Sequence, residues 1–303
     1  MKRALVLGAN GFIGSAVTRE LLAAGHAVTA ADCVRDFYAL APHPRLVCQT
    51  LDFLDEVAVR HTLAGIDWVF HLVGTTKPAS SNANMAFDVQ SNVVGSIHLL
   101  EAAVAQGVER VLFASSGGTV YGPPRALPVR EDHPTHPIVS YGLTKLMIEG
   151  YADLIERQHG LPTIALRIGN PYGPRHYDRE QGAIPVFIRQ LRRDQTIEIW
   201  GDGEIVRDYV HVDDVARAFV AAAGYLGPHR VFNIGSGTGH SLREIVARLE
   251  ALAGRQARLV FRPARGFDIP AIVLDIERAR AALDWAPAID FDDGLSLTWE
   301  DMK

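Results

Sequence analysis

The chain has 303 residues, 48% of them hydrophobic and 21% charged, with a formal net charge of -5. That length can bury a sizeable core in one large domain or two closely packed ones, and the composition is that of a soluble globular protein. A net negative charge leaves no electrostatic footprint for nucleic acid or an anionic membrane.

Taken in chain order, the first apolar run, Ala4–Leu7 behind Met1-Lys-Arg, is too short for a signal peptide and meets a glycine turn directly. It reads instead as a buried strand, Arg3–Leu7. Further strands are predicted at Ala27–Ala31, Leu46–Gln49, Trp68–Leu72, Arg110–Ala114 and Thr163–Ile168. Helical patterns lie between them, at Ile13–Ala24, Val93–Gln106 and Tyr141–His159, the last stopped by Gly160 with Pro162 beyond it. Strands alternating with helices of this length predict parallel βαβ units, and so an α/β, Rossmann-type doubly wound sheet over 1–168. After Ile168 the rhythm breaks at Asn170-Pro-Tyr-Gly-Pro174 and Gly182-Ala-Ile-Pro185. Residues 169–303 are expected to form mainly a smaller substrate lobe, interleaved with segments near 204–237 and 268–275 that return to the main sheet. Cys33 and Cys48 lack metal-ligand spacing, no metal site is expected, and a reducing cytoplasm fits. No run of about 18 apolar residues exists, so no membrane span is expected.

Gly8-Ala-Asn-Gly11-Phe-Ile-Gly14 stands at the first strand–helix junction. Its first glycine allows a tight turn, the second lets backbone approach a pyrophosphate, and the third packs helix on strand. The pyrophosphate would rest on free N–H groups at the helix N-terminus. Asp32 ends the second strand, 18 residues beyond Gly14. A carboxylate there accepts both ribose hydroxyls of NAD and repels the 2′-phosphate of NADP; Arg35 is the nearby residue that weakens this preference. Asp52 and Phe53 suit an adenine edge and face.

Tyr141 and Lys145 are four apart, on one face of the predicted helix. Free tyrosine, with a pKa near ~10, is a poor base at neutral pH. A neighbouring ammonium favours the phenolate, as does the positive nicotinamide of an oxidised cofactor. Such a pair takes a proton from an alcohol or sugar hydroxyl while hydride leaves the same carbon.

With Val69-Phe-His-Leu72, Asn92-Val-Val-Gly95, Ser115-Ser-Gly-Gly-Thr-Val-Tyr-Gly122, Arg167-Ile-Gly-Asn-Pro-Tyr-Gly173 and Arg207-Asp-Tyr-Val-His-Val-Asp213, these motifs resemble the extended short-chain dehydrogenase/reductase family, especially its nucleotide-sugar epimerases and dehydratases. The resemblance runs end to end. It implies that Gly8, Gly11, Phe12, Ile13 and Gly14 hold NAD, with Leu72, Val73 and Gly74 lining the cofactor cleft and Thr76 or Lys77 near the pyrophosphate. It further implies Asn92 supporting the nicotinamide side, and Ser115, Tyr141 and Lys145 at the cofactor. On the sugar-nucleotide side it implies Asn170 at the phosphates, Arg207 and Arg265 clamping the pyrophosphate, Asp268 at the ribose, and Ile199-Trp200 along the base. It also implies a homodimer.

The chain departs from the family at Gly117, where a catalytic Ser or Thr usually stands four residues before the tyrosine, here Tyr121. Thr119 has the same parity as Gly117 if this stretch is extended, and is the preferred replacement; Ser116 remains open. The Asp-Glu pair of the family's 4,6-dehydratases is replaced by Gly118 and Thr119, and the decarboxylases' Glu by Thr119. What remains is oxidation and re-reduction at one carbon. The expected activity is NAD-dependent C4 epimerisation of a nucleoside-diphosphate sugar, a UDP-hexose foremost. The alternatives are a nucleotide-4-keto-sugar reductase or dehydrogenase, or a dinucleotide-sensing protein without activity.

Overall fold

A computed structural model describes residues 1–37, 40–176, 181–264, 266 and 268–302. The first half runs β1 (Arg3–Leu7), α1 (Phe12–Ala23), β2 (Ala27–Asp32), β3 (Leu46–Thr50), α2 (Glu56–Thr62), β4 (Trp68–His71), α3 (Met85–Asp88), α4 (Gly95–Ala105), β5 (Arg110–Ser116), α5 (Ser140–His159) and β6 (Thr163–Ile168). A six-residue π-helical stretch, Val89–Val94, joins α3 to α4. The second half runs β7 (Asn170–Tyr172), α6 (Ala183–Arg192), β8 (Ile197–Trp200), β9 (Val206–His211), α7 (Val212–Gly224), β10 (Val231–Ile234), β11 (Gly239–Ser241), α8 (Leu242–Ala253), β12 (Leu259–Arg262), β13 (Ala271–Ile272), α9 (Glu277–Leu283) and α10 (Phe291–Asp301).

Seven strands make one parallel sheet in the order β10-β6-β5-β4-β1-β2-β3. Strand alternation divides each strand between two cores. Ala4 and Val6 of β1 face α1 and α7, packing with Val17, Leu21, Val215 and Phe219. Leu5 and Leu7 face the other way, towards Val59, Leu99, Leu100 and Ile155. Burying both faces is what demands apolar residues at consecutive strand positions. The strand order reverses between β1 and β4, so the loops leaving these two strands part. A crevice opens at their carboxyl ends, the place where open α/β sheets bind ligands.

α6, α8 and α10 pack with β8 and β9 around Phe187, Ile188, Ile199, Ile245, Leu249 and Leu295, forming a second, smaller core. α8 is closed by a reciprocal cap between Ser241 and Glu244. Of the later segments, β10 joins the seven-stranded sheet beside β6, whereas β9 and β13 pair with each other. β7 and β11 complete that separate four-stranded sheet. Residues 268–275 therefore do not extend the main sheet; β13 is two residues long and takes its hydrogen bonds from β9. Among the described residues no helix is long and apolar enough to cross a membrane.

Candidate active site

A cavity of about 730 Å³ opens at the crevice, between the β1–α1 turn and the smaller lobe. Gly11, Phe12 and Ile13 form one lip. Gly8 makes the turn at φ +80°, donating its N–H to the Ala31 carbonyl at 2.9 Å. A Cβ on Gly14 would stand 2.0 Å from the Gly8 oxygen, so only glycine lets α1 start this close to β1. The N-cap, Gly11, brings no capping side chain, and the first turn of α1 has no acidic residue. Unsatisfied first-turn N–H groups thus reach the cavity beside bare backbone, which fits a pyrophosphate. Asp32 lies outside the cavity wall at the end of β2, its Oδ2 held by the Asn10 N–H at 3.0 Å.

The adenine-side expectation at Phe53 is corrected by the packing. Phe53 is buried, stacks on His71 at 5.0 Å and packs into the sheet's second core, so its ring face is unavailable to a base. Asp52 stays exposed beyond β3, its Oδ1 accepting from the Leu54 N–H at 2.9 Å. After β4, Leu72, Gly74, Thr76 and Lys77 line the cavity, while Val73 packs into the core face. Asn92 stands behind that wall: its Oδ1 accepts from the Thr75 N–H at 3.0 Å, and its Nδ2 donates to the Thr75 hydroxyl at 2.7 Å.

Tyr141 and Lys145 share a face of α5 and both line the cavity. The Lys145 Nζ stands 5.5 Å from the centre of the Tyr141 ring and 4.8 Å from that of Phe113. The start of α5 is capped from a distance: Asn82 Oδ1 accepts from the Ser140 N–H and Ser81 Oγ from the Tyr141 N–H, at 2.8 and 3.0 Å. Burial pushes the Tyr141 phenol up to about 12, with the Asp88 carboxylate adding to the rise. Burial pulls Lys145 down to about 8, opposed by the charges of Asp88 and Glu149. The polypeptide alone therefore keeps the phenol protonated at neutral pH.

The strand that parity required at 117–119 is absent. β5 ends at Ser116, and a turn follows in which Val120 N–H reaches back to the Ser116 carbonyl at 3.2 Å. Alternation therefore does not apply, and both Ser116 and Thr119 line the cavity. The Thr119 hydroxyl is buried without a hydrogen-bond partner among the described residues. Gly117 faces away: a Cβ there would meet Leu274 Cδ1 at 2.6 Å and the Arg167 carbonyl at 3.0 Å. Ser115 also reaches the cavity, but its hydroxyl donates to Glu149 at 2.5 Å.

Asn170, Arg207 and Asp268 line the opposite end. Arg207 is anchored through Nη1 to the Val206 and Ile269 carbonyls, and burial lowers its pKa. Arg265 lies outside the described residues. Ile199 is fully buried in the small core, so its side chain meets no ligand, and Trp200, 37% exposed, does not line the cavity. The structure adds residues to which the motifs gave no role. His176 stacks on Phe12 at 4.1 Å and lines the cavity with Arg175. Arg167 and Glu149 form a buried ion pair at 2.6 Å behind Lys145. Glu149 continues the four-residue spacing of Tyr141 and Lys145, a signal legible in the sequence; Arg167 opens a quoted motif but was given no role there, and Asp88 had no signal.

A parallel doubly wound sheet, a glycine turn at its switch point and a Tyr/Lys pair in the same cavity define a dinucleotide-dependent α/β enzyme. Residues 4–235 match the model of the NAD dependent epimerase/dehydratase family, and the chain belongs to that family. The UDP-glucose 4-epimerase of Mycolicibacterium smegmatis is 36% identical over 98% of this chain and 97% of its own. The dTDP-4-dehydro-6-deoxyglucose reductase of Escherichia coli is 37% identical over 82% of this chain and 77% of its own. The structure of UDP-glucose 4-epimerase from Thermotoga maritima with UDP-glucose superposes with a TM-score of 0.93 at 34% identity, covering 99% of this chain and 98% of that one.

Proposed function

We propose that this chain is an NAD-dependent 4-epimerase of nucleoside-diphosphate sugars, acting on a UDP-hexose. The observation that carries this is the convergence of Tyr141, Lys145 and the unengaged Thr119 hydroxyl in the cavity that the β1–α1 glycine turn opens. Gly11–Ile13 and the free N–H groups of α1 would hold the pyrophosphate of NAD, Asp32 its adenosine ribose, and Lys145 its nicotinamide ribose. When bound there, NAD supplies a reversible hydride acceptor for C4 of the sugar.

Tyr141 takes the proton of the 4-hydroxyl as a phenolate and later returns it. Lys145, still charged at neutral pH with a pKa of about 8, favours that phenolate. Thr119, or Ser116 beside it, orients the reacting oxygen. Arg207, with Arg265, binds the sugar diphosphate through the guanidinium fork; Asn170 lies at the phosphates and Asp268 at the nucleotide ribose. Because Tyr141 would return to the 4-oxygen the proton it took, epimerisation would leave the redox state of the cofactor unchanged over a turnover.

We further propose that 1–168, with α7 and β10 of the segment near 204–237, serves the cofactor and that the rest of 169–303 mainly serves the nucleotide sugar. We propose a homodimer through α4 and α5, supported by exposed Leu143, Tyr151 and Leu154 on α5. We propose a cytoplasmic location, in keeping with two free, exposed cysteines, and a place in carbohydrate metabolism, which follows from the proposed substrate alone. The test is turnover of UDP-, dTDP- and GDP-sugars with products identified by NMR, alongside Tyr141→Phe. Near-normal turnover by that variant refutes the assignment. A second reading, reduction of a 4-keto sugar, is favoured by the similarity to the Escherichia coli reductase; stoichiometric consumption of reduced nicotinamide would select it.

A further inference from the structure

Asp88, the last residue of α3, is fully buried beside the acid–base pair. Its Oδ1 accepts from the Thr76 hydroxyl at 2.6 Å and from Asn92 Nδ2 at 2.9 Å, and its Oδ2 accepts from the Ser140 hydroxyl at 2.6 Å. Those donors belong to the loop after β4, to the π-helical stretch and to the first residue of α5. One carboxylate thus ties the cavity wall to the start of the helix that carries Tyr141.

All of these donors are uncharged. A buried carboxylate is costly unless hydrogen bonds and a nearby positive charge answer it. Two titratable groups act on the pair, and a third, on another element, feels it. Glu149 on α5 acts on Lys145, but Arg167 of β6 binds it at 2.6 Å and Ser115 donates to it, so its charge is answered locally. His71 on β4 also feels Lys145, and burial holds it neutral, with its pKa near 3. Asp88 remains, and its charge acts on both Tyr141 and Lys145.

We propose that Asp88 is the positioning residue of this pair, its carboxylate both fixing the start of α5 against the 75–76 loop and setting the pH at which Tyr141 gives up its proton. The proposal rests on Tyr141 being the proton-transfer group. A negative charge favours the protonated form of each neighbour. Asp88→Asn keeps the size and can still accept from Thr76 and Asn92, but removes the charge. Ser140→Ala keeps the charge and withdraws a hydrogen bond that tempers it. The two variants must therefore shift Tyr141 in opposite directions.

The experiment uses NAD-loaded protein and reads phenolate absorbance of each form minus its Tyr141→Phe counterpart across pH, together with the pH profile of kcat. Asp88→Asn is expected to move both the phenolate titration and the acid limb to lower pH, by on the order of one unit. Ser140→Ala is expected to move them upward by less. A uniform loss of kcat with no shift in the titration overturns the proposal and leaves Asp88 a purely structural residue. Should Asp88→Asn fail to fold, Ser140→Ala decides alone: an unmoved or lowered titration is the overturning result. Because absorbance needs no turnover, a wild type that titrates normally but epimerises no sugar refutes the proposed function separately.

Discussion

Restoring the family's hydroxyl by Gly117→Ser is expected to harm the protein and bring no gain in rate. The new Cβ would stand 2.6 Å from Leu274 Cδ1 and 3.0 Å from the Arg167 carbonyl. Carbon atoms rest at roughly 3.5–4.0 Å, so the first contact is short by about 1 Å. Leu274 is 1% exposed and enclosed by Val120, Tyr121, Val129, Ile272 and Ile276, so it cannot swing aside without moving its neighbours. Overpacking of this kind costs about 1–3 kcal/mol. At the ~2–4 °C per kcal/mol typical of domains somewhat smaller than this chain, Tm should fall by roughly 2–12 °C in a thermal melt. The kcat should not rise, because residue 117 faces Leu274 and the cavity wall is made by its neighbours Ser116, Gly118 and Thr119. Leu274→Ala alone should cost ~2–5 kcal/mol. If the clash is the cause, the double variant should be more stable than the sum of the singles predicts, by at least ~0.5 kcal/mol. An unchanged Tm with a faster kcat, or strict additivity of the pair, refutes the packing explanation for Gly117.

Thr119→Val should lower kcat by on the order of tenfold to a hundredfold, the worth of a hydrogen bond to a charge-bearing oxygen, in steady-state assays; a full rate would transfer the orienting role to Ser116. Gly14→Ala would place its Cβ 2.0 Å from the Gly8 oxygen, so purified protein should carry little NAD when the cofactor is released and quantified. Glu149→Gln leaves the Arg167 guanidinium buried and unpaired, at a cost of about 3–5 kcal/mol in urea unfolding, and a Glu149→Gln/Arg167→Met double should recover part of it. His71 concerns acid stability. Burial lowers its folded pKa to about 3, while the unfolded ring titrates near ~6.5. Between these values the unfolded chain binds a proton that the folded one refuses, so stability is full above the unfolded value and falls as pH drops, by about 1.4 kcal/mol per pH unit. His71→Gln should flatten that slope by this amount, and an equally steep acid dependence would remove His71 as a cause.

The sheet of the first half was legible because its strands are short apolar runs bounded by turn residues, and a strand buried on both faces can be little else between helices of this length. β1 and β6 lie where the pattern predicted, and the other four strands differ by one or two residues at an end. The glycine turn and the Tyr141/Lys145 face were equally legible, since both are local: one is a spacing set by strand and helix geometry, the other one turn of a helix. Phe53 and Ile199 were misread because a sequence names a ring or a strand but not which neighbour covers it; His71 covers one, and the small core encloses the other. The parity assigned to Thr119 assumed a strand that ends at Ser116, and a turn then brings both hydroxyls to one wall. Gly117 was visible as a departure, but its cause lay in Leu274, more than a hundred residues away along the chain. Asp88 gave no signal at all, because its significance comes from Thr76, Asn92 and Ser140, three segments that only the folded chain brings together. The first-half strands, the cofactor turn and the Tyr141/Lys145 face were legible because each is marked by residues close together along the chain. Which residues surround that pair, and with what charge, was decided by long-range packing that only the tertiary structure contains.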